Sequence, residues 1–153
     1  MNRFNWLAMT LVLTLGEAVG CATHVAVTPT HQENMAAQAK VLAIAARDLE
    51  DIVRHQNTQG GGAQGAIQAV IDFHAQAENF AGTTEQWQSD DRVSNDYELL
   101  IKAWVKVKQT FPNMNADKQT QDQYTRVQHE WEQLARTSGY ANRAYERKVE
   151  QGK

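Results

Sequence analysis

The sequence predicts an all-α fold: a four-helix up-down bundle preceded by a signal peptide and a short flexible tether. Three observations predict it. Apolar residues recur at alternating intervals of four and three along separate stretches, the repeat of an amphipathic helix. Each stretch is bounded by a capping residue, a glycine or a proline. One cysteine in 153 residues excludes a disulfide framework, so the folded part must hold together by packing alone. Four apolar stripes joined by short loops are buried most simply against one another.

The first helix begins at Thr30-His31-Gln32-Glu33, which has the spacing of a capping box: threonine hydroxyl and glutamate carboxylate each satisfy an orphan backbone amide. Its apolar face runs Met35, Ala39, Leu42, Ala46, Leu49, Ile52 and Val53, and Gly60-Gly61-Gly62 stops it, because consecutive glycines lose too much backbone entropy in a helix. The second helix carries Ala66, Val70, Phe73, Ala77 and Phe80, with Gly82 placed for a left-handed C-terminal cap. That stripe is lean in large residues, so this helix is expected to approach its neighbours closely. Residues 83–91, with Trp87 and a second capping-box spacing at Thr83 and Gln86, read as a loop or an early start of the next helix.

The third helix has the most regular seam: Val93, Tyr97, Leu100, Trp104, Val107 and Phe111. Pro112 is expected to end it by driving Phe111 out of helical dihedrals. Asn115 then caps a fourth helix with the seam Thr120, Tyr124, Val127, Trp131 and Leu134, closed by Gly139 with Tyr140 folding back. A tight connection makes the last two helices antiparallel neighbours and sets the register. Trp104 faces Tyr124, Leu100 faces Val127, Tyr97 faces Trp131 and Val93 faces Leu134. The bundle thus occupies 31–140, and a charged tail, 141–153, reads as a helical extension or as disordered chain.

The first 20 residues form a different unit. Arg3 supplies a positive start and Phe4 to Leu15 an apolar run of the length of an export signal. About 20 apolar residues are needed to span hydrocarbon, and this run is shorter and followed by Glu17. It ends at Ala18-Val19-Gly20-Cys21, which resembles the lipobox of bacterial lipoproteins, with Ala18 where leucine is usual. The resemblance implies a thioether-linked diacylglycerol on Cys21, cleavage before it and an acylated new amino terminus. It also implies a bacterial cell-envelope location. Ala22 stands where aspartate would retain such a protein in the inner membrane, which favours the outer membrane, facing the periplasm, in a cell that has one. An ordinary secretory signal ending near a cysteine, or an uncleaved start, is the alternative. Residues 21–30 then form the lipidated tether.

The formal charge of −3 excludes the concentrated basic footprint of a nucleic-acid binder. No Glu-x-x-His pair for a di-iron bundle occurs, and no Cys-x-x-Cys-His for haem attachment. Gly-x-Ser-x-Gly and a lysine-bearing phosphate loop are absent too. The expectation is a non-enzyme without cofactor or metal. Two side-chain pairs are the exceptions weighed: His31 with Met35, a set suited to Cu(I) or else a solvated histidine beside a core methionine, and His74 with Glu78, a ligand-orienting pair or else a bonded boundary histidine. Lipidation would consume the thiol of Cys21-x-x-His24 as a zinc ligand. His129 falls on the solvent side of its helix. Tyr97, Trp104, Tyr124 and Trp131 read as core, with their polar atoms reaching the rim. The partners expected are the membrane, through the lipid on Cys21, and an envelope protein. The function expected is a lipid-anchored interaction or scaffold module, with a small-ligand or soft-metal binding lipoprotein as the alternative.

Overall fold

The computed structural model describes residues 30–56 and 64–138. They form four helices, α1 (His31–Gln56), α2 (Gln64–Gln86), α3 (Asp90–Thr110) and α4 (Lys118–Ser138), with a 3-10 turn at Phe111–Asn113. Each helix reverses direction relative to the one before. One end of the bundle therefore gathers the start of α1, the α2–α3 connection and the end of α4. No helix among the described residues is long and apolar enough to cross a membrane.

The capping box of α1 is formed: Thr30 N–H donates to Glu33 Oε2 at 2.6 Å and Glu33 N–H to Thr30 Oγ1 at 3.2 Å. The helix buries Met35, Ala39, Leu42, Ala43, Ala45, Ala46, Leu49 and Val53, while Ile52 is only half-buried at the edge facing α4. Gly60 to Gly62 lie outside the described residues. In α2 the expected stripe is buried and is widened by Ile67, Ala69 and Ala81.

Gly82 is not the cap of α2, which runs on to Gln86. A glycine can continue a helix when its neighbours hold the turn. Thr84 Oγ1 donates to the carbonyls of Phe80 and Ala81, and Thr83 Oγ1 reaches Asp96 Oδ2 on α3. The left-handed residue is Trp87, φ 36°, whose N–H returns to the Thr83 carbonyl at 2.9 Å and whose indole Nε1–H donates to Asp90 Oδ1 at 2.8 Å. Residues 83–86 accordingly close α2. Ser89, not Thr83, opens α3, accepting from Arg92 N–H at 3.3 Å with Asp90 and Asp91 in the first turn.

Phe111 also departs from expectation. It stays helical, φ −58° and ψ −39°, and its N–H bonds to the Val107 carbonyl. The α region is disfavoured before proline but still accessible. Here Pro112 enters a tighter 3-10 turn, and the chain extends only at Met114, φ −84° and ψ 128°. That delay moves the start of α4. Asp117 caps it in place of Asn115: its Oδ1 accepts from Thr120 N–H and Thr120 Oγ1–H, both at 2.8 Å. Gly139 and Tyr140 fall outside the described residues.

The seams of α3 and α4 meet in the expected register. Trp104 stacks on Tyr124 with ring centroids 5.9 Å apart, and Tyr97 on Trp131 at 6.2 Å. Leu100 and Val127 are buried between these layers, and Val93 and Leu134 beyond the layer of Tyr97 and Trp131. The rings set unequal spacings. Backbones come within 8 Å, Cα to Cα, repeatedly between α1 and α2, α1 and α4, and α2 and α3, but hardly at all between α3 and α4. Alanines on α1 and α2 permit the close approaches, and stacked rings hold the last pair apart.

Trp104, 2 % exposed, is expected to be among the most damaging positions to truncate. Trp104→Ala loses about 3–5 kcal/mol in urea melts as a large-to-small core change. His129→Ala, on the exposed side of α4, stays within about 0.5 kcal/mol. Equal losses would show the phase of α4 to be wrong. Asp117 supplies a pH signature. The Thr120 backbone amide, then the Thr120 hydroxyl, hold its carboxyl below the ordinary 3.8, so its stabilisation is complete above 3.8 and fades as pH falls through the lowered value. The thermal midpoint gap between wild type and Asp117→Ala is therefore widest near neutrality and narrows in acid. A gap unchanged in strong acid would refute the cap.

Candidate functional site

Polar contacts join neighbouring helices at several points of this bundle, and the densest set surrounds His74. The imidazole leaves α2 one residue after the fully buried Phe73 and lands at the margin between α2 and α1. Its Nδ1 lies 2.7 Å from Glu50 Oε2 of α1, and Arg54, one turn further along α1, donates from Nε to the other oxygen, Glu50 Oε1, at 2.6 Å. On the far side of the ring, Glu78 Oε1 is 3.2 Å from Nε2. That distance is ion-pair range, yet Nε2 has no hydrogen-bond partner of proper alignment and is sealed from solvent. We take Glu78 as a neighbour in charge, not as a directed acceptor. A neutral imidazole has one N–H, so it can donate to only one of the two carboxylates.

The two halves of this cluster differ in environment. The side chains of His74 and Glu50 are 15 % and 13 % exposed, whereas that of Glu78 is 62 % exposed. Glu50 therefore fixes the ring, and Glu78 can swing into solvent. The pair expected from spacing, His74 with Glu78, is real but secondary. The stronger partner, Glu50, is 24 positions away and carries no local signal. Among the described residues no group of three His, Cys, Asp or Glu side chains is placed to hold a metal ion.

The other sequence candidates separate. His31 is exposed in the first turn of α1 while Met35 is fully buried, so the pair presents no joint face. Cys21 lies outside the described residues. His129 is exposed beside Glu130. The aromatic quartet is core. Trp104 and Trp131 are in ring contact at 5.7 Å, Phe73 meets both, and Phe111 lies flat on Tyr124 at 3.9 Å. The Tyr97 phenol does not reach the rim as expected; it is buried against Ser138 Oγ at 3.1 Å. Burial raises the Tyr124 phenol above its ordinary range.

Two surface features remain. A shallow open groove of about 480 Å³ between α1 and α4 is lined by Ile52, Lys118, Gln119, Asp122, Gln123 and Arg126. Its charges are engaged, Lys118 with Asp122 at 2.8 Å and Arg126 with Asp48 at 3.2 Å. The large apolar side chains exposed among the described residues are Val41 and Ile44 on α1 and Leu99 on α3. No family model, curated protein or solved structure matches the chain.

The asymmetry of the histidine cluster is measurable. Glu50→Ala removes a sheltered carboxylate that bridges Arg54 and His74, and is expected to lose about 1–3 kcal/mol in chemical denaturation. Glu78→Ala, at an exposed ion pair, loses no more than about 0.5 kcal/mol. The reverse order would mean that Glu78 is the ring's true partner.

Proposed function

We propose that this chain is a lipid-anchored lipoprotein of the bacterial envelope, and that its helical bundle is a non-catalytic interaction or scaffold module, held at the outer membrane and facing the periplasm. The observation that carries the reading is the apolar leader ending in Ala18-Val19-Gly20-Cys21, with the chain's sole cysteine at the point where such a leader would be cut and lipidated. A diacylglycerol with a further acyl chain converts reversible contact into stable anchoring, because each buried CH₂ contributes about 0.8 kcal/mol. The bundle begins at His31, so the arm from Cys21 reaches at most about 30 Å. A domain on so short an arm acts close to the bilayer, on partners that also reside there.

One observation favours a second reading, a small-ligand or soft-metal binding lipoprotein: the His74 Nε2 atom that lacks an aligned acceptor. A ligand reaching it would have to displace Glu78. Titration with Cu(I) and Zn(II) separates the readings. A stoichiometric site lost in His74→Ala or His31→Ala would replace the scaffold reading with this one.

The anchor is tested by mass and by partition. Native protein is expected to begin at Cys21, carry the mass of a diacylglycerol and enter the detergent phase. Cys21→Ser is expected to leave a precursor or a soluble form. Intact native protein that retains its first residues and stays in the aqueous phase would refute the anchor.

A further inference from the structure

The outer face of α1 carries a second apolar stripe, which the bundle core does not use. Ala37, Val41 and Ile44 are exposed and follow one another at intervals of four and three, so they stand in one line along the helix. Leu99, the other large exposed aliphatic, is on α3, across the bundle from α1. The stripe belongs to the half of α1 nearer Thr30, centred roughly 15 Å from it by the helical rise. The charges of this face are ordered along the helix. Glu33 is held in the capping box, Lys40 and Arg47 stand along one side of the stripe, and Asp48 and Asp51 come after it. Lys40 shares its ammonium with Glu85 of α2 at 2.8 Å, and Asp48 is met by Arg126 of α4.

The geometry points to a phospholipid bilayer as the occupant of this stripe. Ala37, Val41 and Ile44 lie at the acyl boundary, and Lys40 and Arg47 stand at the level of the phosphates. The inference rests on the lipoprotein reading, since the argument is the position of the stripe relative to the arm. The chain between Cys21 and Thr30 spans at most about 30 Å, so α1 can lie along the membrane with slack in the arm. Three aliphatic side chains would not hold a free protein at a bilayer. With the anchor in place docking is intramolecular, and a weak patch suffices to orient the domain. Apart from Glu33, which is held in the capping box, Lys40 and Arg47 of this face come before Asp48 and Asp51, which favours the proximal half of the face meeting the headgroups and the distal half standing clear.

Lipidation consumes the Cys21 thiol, so Ile44→Cys and Leu99→Cys each introduce a single labelling site in the lipid-bearing protein. Each is labelled with an environment-sensitive fluorophore and reconstituted into phosphatidylethanolamine–phosphatidylglycerol vesicles with brominated acyl chains. The label at position 44 is expected to shift to the blue and to be quenched several-fold more than the label at 99. Adding Val41→Asp, a surface change checked by circular dichroism, is expected to erase that difference. Labels that behave alike overturn the inference while leaving the anchor intact. So does disulfide cross-linking of position 44 between two copies, which would make a second copy the occupant. A mass without diacylglycerol on Cys21 overturns the anchor and this inference together.

Discussion

Contact between Trp104 and the rings around it is the constraint on which the rest of the bundle depends. It meets Phe73 of α2 and Tyr124 and Trp131 of α4 at centroid distances of 5.2, 5.9 and 5.7 Å, so one side chain ties three helices together. Offset and tilted rings of this kind contribute about 0.5–1.5 kcal/mol per pair beyond area burial. They also act as spacers. Once α3 and α4 are held apart by rings, α1 and α2 must close the opposite side with small residues, and Ala39, Ala43, Ala46, Ala66, Ala69 and Ala77 do so. Composition and geometry are thus coupled across the bundle.

Long-range polar contacts lock this arrangement at its seams. Gln123 donates to the Ala45 carbonyl and Gln38 to Glu130, both joining α1 to α4. Thr83 with Asp96 joins α2 to α3, and His74 with Glu50 joins α1 to α2. Each lies at the boundary between core and solvent, where a half-desolvated hydrogen bond discriminates against a slipped register more than it adds to stability. The histidine cluster fits this pattern, which is why its geometry alone carries no binding reading without a ligand to displace Glu78.

Much of the fold was legible in the sequence because it rests on periodicity. The interval of four and three along Val93 to Phe111 and Thr120 to Leu134 is set by helical pitch, and the pairing of Trp104 with Tyr124 followed from arithmetic on those seams. Boundaries were less legible because several residues offer competing ends. Gly82 permits a left-handed cap without requiring one, and a Cβ added there would meet nothing within 4 Å. Asn115 and Asp117 are both competent caps, and the choice fell to the second only because Pro112 sustains one more turn before Met114 extends. Within the histidine cluster, Glu78 was visible at i+4 and Glu50 was not. A partner on another helix depends on how the two helices rotate against each other, which no local spacing records.

The ring cluster gives the protein a spectroscopic character of its own. Two indoles in contact, flanked by two phenols and three phenyl rings, form a coupled chromophore. Light absorbed by Tyr97 or Tyr124 passes to Trp104 or Trp131 by resonance transfer, and fixed ring orientations produce strong near-ultraviolet circular dichroism. Trp87, at the α2–α3 connection, stands apart as a separate emitter next to the Asp90 carboxylate. The tryptophans among the described residues therefore form two optically distinct sets, one reporting loosening of the core and the other movement of one loop, without any added label.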